Sequence, residues 1–149
     1  MTGAYLLCYL TNLESLSKVL RNIRAVLLPG GRFAGLTMNI NQGLSDQPAN
    51  KLHEWGAVAY GRKNVENGGV MSVDISLGRQ HVPERVQLDV VFWDQPTYEK
   101  AFRDAGFSSV VWVPVTPNPN TTAEELANHI VNCDAFFDAH KSVGFVAIL

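Results

Sequence analysis

The sequence predicts an α/β domain built around a sheet whose first strands are parallel. Three observations predict it. Gly3 to Leu10 is apolar on both sides, with Ala4, Leu6, Cys8 and Leu10 on one and Tyr5, Leu7 and Tyr9 on the other. That is the pattern of a strand buried in the middle of a parallel sheet. Leu13, Leu16, Val19, Leu20, Ile23, Val26 and Leu27 then recur at helical spacing, and Pro29-Gly30-Gly31 stops the helix. Arg32 to Ile40 reads as a second strand, so the opening segment forms a strand–helix–strand unit.

The remaining elements follow in order. Thr11-Asn12-Leu13-Glu14 has capping-box form and starts the first helix. Asn41 to Asn50 is polar and loop-like. Lys51 to Tyr60 reads as a short helix, with Leu52, Trp55 and Val58 or Ala59 on one side. Asn67-Gly68-Gly69 is a turn signal. Val70 to Leu77 and Val86 to Trp93 alternate as an antiparallel pair, joined by a loop with Gly78 and Pro83. Asp94-Gln95-Pro96 opens a helix whose Tyr98, Phe102 and Ala105 share a face. Gly106 stands where a left-handed C-cap belongs, and Phe107 supplies the hydrophobic contact after it. Ser109 to Val115 is a strand and Pro117 to Asn120 a loop. Thr122-Ala123-Glu124-Glu125 is a second capping box, ahead of a helix with Leu126, Ile130, Cys133 and Phe137 on its buried face. Val143 to Leu149 is a terminal strand.

Length and composition narrow the function. A chain of 149 residues fits one domain spanning residues 1–149. The formal charge is −2, and no run of Lys and Arg forms a stripe for phosphates, which argues against nucleic-acid binding. Cys8 and Cys133 lie in apolar patterns without metal-ligand spacing and read as reduced core thiols of a cytoplasmic protein. No metal site is expected, since no His, Asp, Glu or Cys pair has a zinc or calcium spacing. The N-terminus lacks the form of a signal peptide, and the run Ala4 to Leu10 is far too short to cross a bilayer.

Three pieces, taken in their order, resemble the C-terminal half of a class I S-adenosylmethionine-dependent methyltransferase. Gly3-Ala4-Tyr5-Leu6-Leu7-Cys8-Tyr9-Leu10 resembles the family's fourth strand and the residues after it. Leu27-Leu28-Pro29-Gly30-Gly31-Arg32-Phe33 resembles its Pro-Gly-Gly turn into the fifth strand. Thr97 to Phe107, ending Ala105-Gly106-Phe107, resembles the helix and turn before the antiparallel seventh strand. Tyr60-Gly61 and the strands around Val70 and Leu88 resemble the small-molecule branch of fungi and actinomycetes, with its secondary metabolism. The resemblance implies a partial Rossmann-like sheet of strands equivalent to 4-5-7-6, the last ones antiparallel, with flanking helices. It also implies that strands 1–3 are absent, so that the domain is truncated at its N-terminus.

The same resemblance implies S-adenosylmethionine as methyl donor, provided that the missing half is supplied, and a small-molecule acceptor. Ala4, Tyr5 and Leu6 match positions beside the donor's methionine part. His53 and Tyr60 fall in the segment similar to the family's acceptor-side lid; Trp55 and Trp93 are aromatic candidates for the same pocket. The family grips its donor with a glycine-rich loop, and this sequence has no Gly-x-Gly. Methyl transfer needs proximity and orientation first, and a general base only for some acceptors, so no catalytic residue is assigned. An apolar strand left at the sheet edge invites pairing, which gives a homodimer or a complementing chain at Gly3–Leu10 as the expected partner. Two alternatives stand beside this reading: a non-catalytic binding or dimerising module, and a cofactor-independent isomerase or cyclase on a degenerate scaffold.

Overall fold

The computed structural model describes residues 1–38, 57–60, 66–76, 85–116, 120, 122, 124 and 142–149. Seven strands and two helices are described: β1 (Thr2–Ala4), α1 (Leu13–Val26), β2 (Arg32–Met38), β3 (Ala57–Tyr60), β4 (Val70–Ser76), β5 (Arg85–Val91), α2 (Gln95–Asp104), β6 (Ser109–Pro114) and β7 (Ser142–Ile148). They form a four-stranded sheet in the order β1-β2-β7-β6 and a three-stranded sheet in the order β3-β4-β5. β1 and β2 are parallel; β7 is antiparallel to both β2 and β6. The expected α/β half-sheet with antiparallel last strands is therefore present.

The strand after Ala105-Gly106-Phe107 runs otherwise than expected. β6 points the same way as β1 and β2, and the reversed strand is the terminal β7 between them. α2 imposes this direction. It starts near the carboxyl end of β2, where Tyr98 meets Thr37, and ends where Ser108 reaches Ile148. The chain has then returned to the amino end of the sheet, so the next strand must run parallel to β2.

The opening run is shorter as a strand than its apolar pattern suggests. β1 stops at Ala4, Tyr5 takes a left-handed φ of 54°, and Leu7–Tyr9 form a single 3-10 turn. Leu7 and Cys8 are buried by packing under the sheet end rather than by sheet pairing. A short two-sided apolar run fits either arrangement. The cap of α1 also shifts by one residue: Leu16 N–H donates to the Asn12 carbonyl, and the Asn12 side chain accepts from Ser15 N–H at 2.8 Å. Asn caps as well as Thr does. Leu16, Leu20 and Ile23 are the buried stripe of α1, while Leu13 and Val26 face solvent. Leu28-Pro29-Gly30-Gly31 closes as a turn, with Gly30 at φ 74° and Gly31 N–H donating to Leu28 carbonyl at 2.7 Å. Pro followed by a left-handed Gly is the type II pattern.

α1 and α2 cover one face of the four-stranded sheet over an aromatic core. Phe102 lies 5.4 Å from both Phe107 and Phe145, and Phe33 lies 5.2 Å from Phe145, measured between ring centres. Gly35 makes room for this: a Cβ there would stand 2.1 Å from the Gly3 carbonyl and 2.7 Å from the Phe145 ring. α2 begins with the Asp94 side chain accepting from Thr97 N–H and ends in a Schellman cap. Gly106 has φ 94°, its N–H donates to Arg103, and Phe107 N–H donates to Phe102.

The antiparallel pair expected around Val70 and Leu88 is β4–β5. Ala57–Tyr60, expected as the end of a helix, is instead a strand in register with β4, from Ala57 opposite Ile75 to Tyr60 opposite Ser72. One helical turn of apolar spacing is a weak signal, and ladder pairing overrides it. Lys51 to Gly56, Ala123 and Glu125 of the second capping box, and the segment carrying Leu126, Ile130, Cys133 and Phe137 lie outside the described residues.

Candidate functional site

In an open α/β sheet, ligands bind outside the carboxyl ends of parallel strands. Here those ends lie together. Ala4 is paired with Leu36, Met38 with Ser142 and Pro114 with Val143, so β1, β2 and β6 all finish at one end of the sheet. The chain leaves β1 there in a bent segment. Tyr5 N–H donates to the Leu36 carbonyl at 2.8 Å, and the Cys8 thiol donates to the Tyr5 carbonyl at 3.1 Å. These bonds hold Tyr5 in a backbone region that costs a non-glycine residue roughly 1–2 kcal/mol. The bend leaves Ala4 and Leu6 exposed, Tyr5 half-buried, and Leu7 and Cys8 beneath. Burial pushes the Cys8 thiol up to about 11, so it is a protonated packing group and no nucleophile.

Two hydrogen bonds made by buried side chains support this wall from behind. The Thr37 and Tyr98 hydroxyls share a hydrogen bond of 3.0 Å, and both residues are fully buried. It ties the carboxyl end of β2 to the first turn of α2. Burial raises the Tyr98 phenol well above its ordinary range, although the Thr37 bond opposes this, so the phenol keeps its proton. The Trp93 indole N–H donates to the Leu10 carbonyl at 3.2 Å.

The three-stranded sheet joins the same end. Gly68 N–H donates to Phe92 carbonyl, and Phe92 N–H donates to Gly69 carbonyl. Asn67 accepts from Asp94 N–H at 2.9 Å and donates to the Thr97 hydroxyl at 2.7 Å. The turn before β4 is thereby stitched to the start of α2.

The candidate residues fall into four groups. Ala4, Tyr5 and Leu6 stand together on the wall. Trp93 reaches the same end, but its side chain is buried in the core behind the wall. Tyr60 sits in β3 opposite Ser72. His53 and Trp55 lie outside the described residues, as do His81, His129, His140 and Cys133. Thr37, Asn67 and Tyr98 were not legible as site residues. A Thr inside an apolar strand, three residues from Phe33-Ala34 and aligned with the buried face, was the one available hint.

The wall offers a small side chain, an aliphatic one and a phenol. It suits the apolar parts of a ligand and supplies neither a glycine-rich loop nor a carboxylate for ribose hydroxyls. Among the described residues, no cluster of three His, Cys, Asp or Glu could hold a metal ion.

No family model matches the chain, and no curated protein matches it. Solved structures do. The chain is similar to an S-adenosylmethionine-dependent methyltransferase from Clostridium acetobutylicum, with a TM-score of 0.56 at 10% identity over 99% of this chain and 56% of the other. It is likewise similar to the CcbJ methyltransferase from Streptomyces caelestis, with a TM-score of 0.57 at 13% identity over 98% of this chain and 58% of the other. The fold is that of S-adenosylmethionine-dependent methyltransferases. At this identity the likeness is one of fold, and the chain spans little more than half the length of these structures. Among the described residues, no helix is long and apolar enough to cross a membrane.

Proposed function

We propose that this chain forms the C-terminal part of an S-adenosylmethionine-dependent methyltransferase acting on a small molecule. The observation that carries this reading is the break of β1 at Ala4 and the turn at Tyr5. It stands at the carboxyl end of a parallel pair, in a fold shared with methyltransferases. S-adenosylmethionine would supply an electrophilic methyl carbon. That carbon would be open to displacement by an acceptor lone pair, the carbon–sulfur bonding electrons leaving on S-adenosylhomocysteine. Ala4, Tyr5 and Leu6 would pack along the donor, exclude water and fix its approach. Orientation of this kind is the enzyme's main contribution to such a displacement. A net charge of −2 without a basic stripe favours a small acceptor over a nucleic acid.

The reading includes a second α/β part against β1, supplied by this or another polypeptide, to grip the donor. Among the described residues, β1 pairs with β2 alone, and Thr2 and Ala4 are exposed. The solved structures extend well beyond the match, and the sequence has no Gly-x-Gly.

Calorimetric titration with S-adenosylhomocysteine tests the reading. The expected result is weak binding, with a dissociation constant in the millimolar range, which Ala4→Trp abolishes by filling the space beside β1. Absence of binding, or binding indifferent to Ala4→Trp, would overturn the methyltransferase reading. Micromolar binding by the chain alone would overturn the need for a second part.

A further inference from the structure

Trp93 touches three parts of the molecule at once. It follows β5 and precedes the Asp94 cap of α2. Its indole N–H holds the Leu10 carbonyl, at the end of the turn that begins with Tyr5. Its ring lies against Gly68, where an added Cβ would come within 3.2 Å of it and crowd the ring. Gly68 is in turn held to Phe92, and its neighbour Asn67 to Asp94 and Thr97. Trp93 thus adds a hydrogen bond between the end of the three-stranded sheet and the Tyr5–Leu10 segment, beside the direct packing of β5 on the Leu7–Tyr9 turn.

We infer that Trp93 is a positioning residue that couples the three-stranded sheet to the wall at the end of β1, so that displacing the sheet moves the wall. Several features support transmission rather than simple packing. The indole is buried, and the bond to Leu10 is made by its only polar atom. The Leu10 carbonyl belongs to the residue that caps the 3-10 turn, whose N–H donates back to Leu7. Pulling on that carbonyl therefore acts on Leu7–Tyr9 and, through the Cys8–Tyr5 bond, on Tyr5 itself. On the other side, Asn67 makes two hydrogen bonds at 2.9 Å or less, so the turn and the α2 cap move together. In the methyl-transfer reading, on which its functional meaning rests, this would let an acceptor held by the sheet adjust the surface that faces the donor.

Amide hydrogen exchange on the intact chain tests the coupling without any ligand. The perturbation is applied on the sheet side, by Asn67→Ala or by the gentler Thr97→Val, which removes the hydroxyl that Asn67 donates to. Exchange is read at the Tyr5 and Leu10 amides, with the Phe107 amide of the Schellman cap as the control. Asn67→Ala is expected to speed exchange at Tyr5 and Leu10 by about tenfold and to leave Phe107 within about twofold, as local opening does. In a Trp93→Phe background, which keeps a ring but lacks the N–H, the same substitution is expected to add less than about twofold, the non-additivity of a coupled pair. The Trp93 indole N–H resonance is expected to shift in Asn67→Ala as its bond to Leu10 lengthens. Unchanged Tyr5 and Leu10 exchange while Gly69 exchange rises would overturn the inference. So would equal acceleration at all three amides, which marks global loosening. Failure to bind S-adenosylhomocysteine would leave these exchange results untouched, so the coupling and the methyl-transfer reading fail separately.

Discussion

The two sheets are held in different ways. The four-stranded sheet carries two helices on one face, and between them lies an interlocked core of Phe33, Tyr98, Phe102, Phe107 and Phe145 with Trp112 at its margin. The three-stranded sheet is held by its antiparallel ladders and by the stitches from Asn67, Gly68 and Gly69 to Phe92, Asp94 and Thr97. Along β5, Gln87 and Asp89 are exposed, and burial begins at Val90 and Val91 before passing to Phe92 and Trp93. The first sheet is thus a packed unit with the candidate site at its edge. The second is joined to that core at the end of β5, through buried Val91 and Trp93, and by the polar stitches around Asn67. The aromatic core is therefore where substitutions should cost most, and the polar stitches where they should cost less.

The contrast can be broken most severely in the aromatic core. Phe102→Ala should destabilise the chain by about 3–5 kcal/mol, the usual range for a buried Phe, seen as a lower denaturant midpoint. A loss of less than about 1 kcal/mol would mean that the core is not the stabilising unit. Thr37→Val comes next. It keeps the shape but leaves the buried Tyr98 hydroxyl without its partner, which should cost about 1–3 kcal/mol in the same measurement.

A pH series sharpens the comparison further. Cys8 has its pKa raised from 9.0 to about 11 by burial. The unfolded chain therefore releases this proton near pH 9, while the folded chain retains it until about pH 11. Above pH 9 the unfolded state binds fewer protons than the folded one, so stability is full below pH 9 and falls as pH rises through about 11. Denaturation at pH 8 and pH 10.5 should show the fall, and Cys8→Ala should reduce it. The smallest effect is expected on the outer sheet. Ser72→Ala removes an exposed hydrogen bond to Asp89 and should change stability by less than about 0.5 kcal/mol.

Much of the fold was legible because local signals and tertiary structure agree. Pro29-Gly30-Gly31, Asn67-Gly68-Gly69 and Ala105-Gly106-Phe107 each occur where the backbone needs a left-handed glycine, and each is a turn or cap in the structure. Asp94 and Pro96 mark the start of α2 for equally local reasons. The errors arise where pattern alone is degenerate. Gly3 to Leu10 looks like a buried strand because Leu7 and Cys8 are buried, but they are buried in a turn. Ala57 to Tyr60 is a strand because β4 pairs with it, which no spacing within the segment reveals. The direction of β6 depends on where α2 starts in space. At the candidate site, the resemblance pointed to Ala4, Tyr5 and Leu6, which the structure places together at the end of β1. The supporting Thr37–Tyr98 and Trp93–Leu10 bonds join residues 61 and 83 positions apart and leave no local signature.

The most direct test of the site is an amide NMR titration of the chain with S-adenosylhomocysteine. The expected result is a set of resonance shifts confined to Ala4, Tyr5 and Leu6, the Leu7–Leu10 turn and the last residues of β2, with the amino ends of β2 and β6 unmoved. Shifts centred elsewhere, or none at ligand excess, would contradict the assignment of the carboxyl end of β1 as the donor-facing surface.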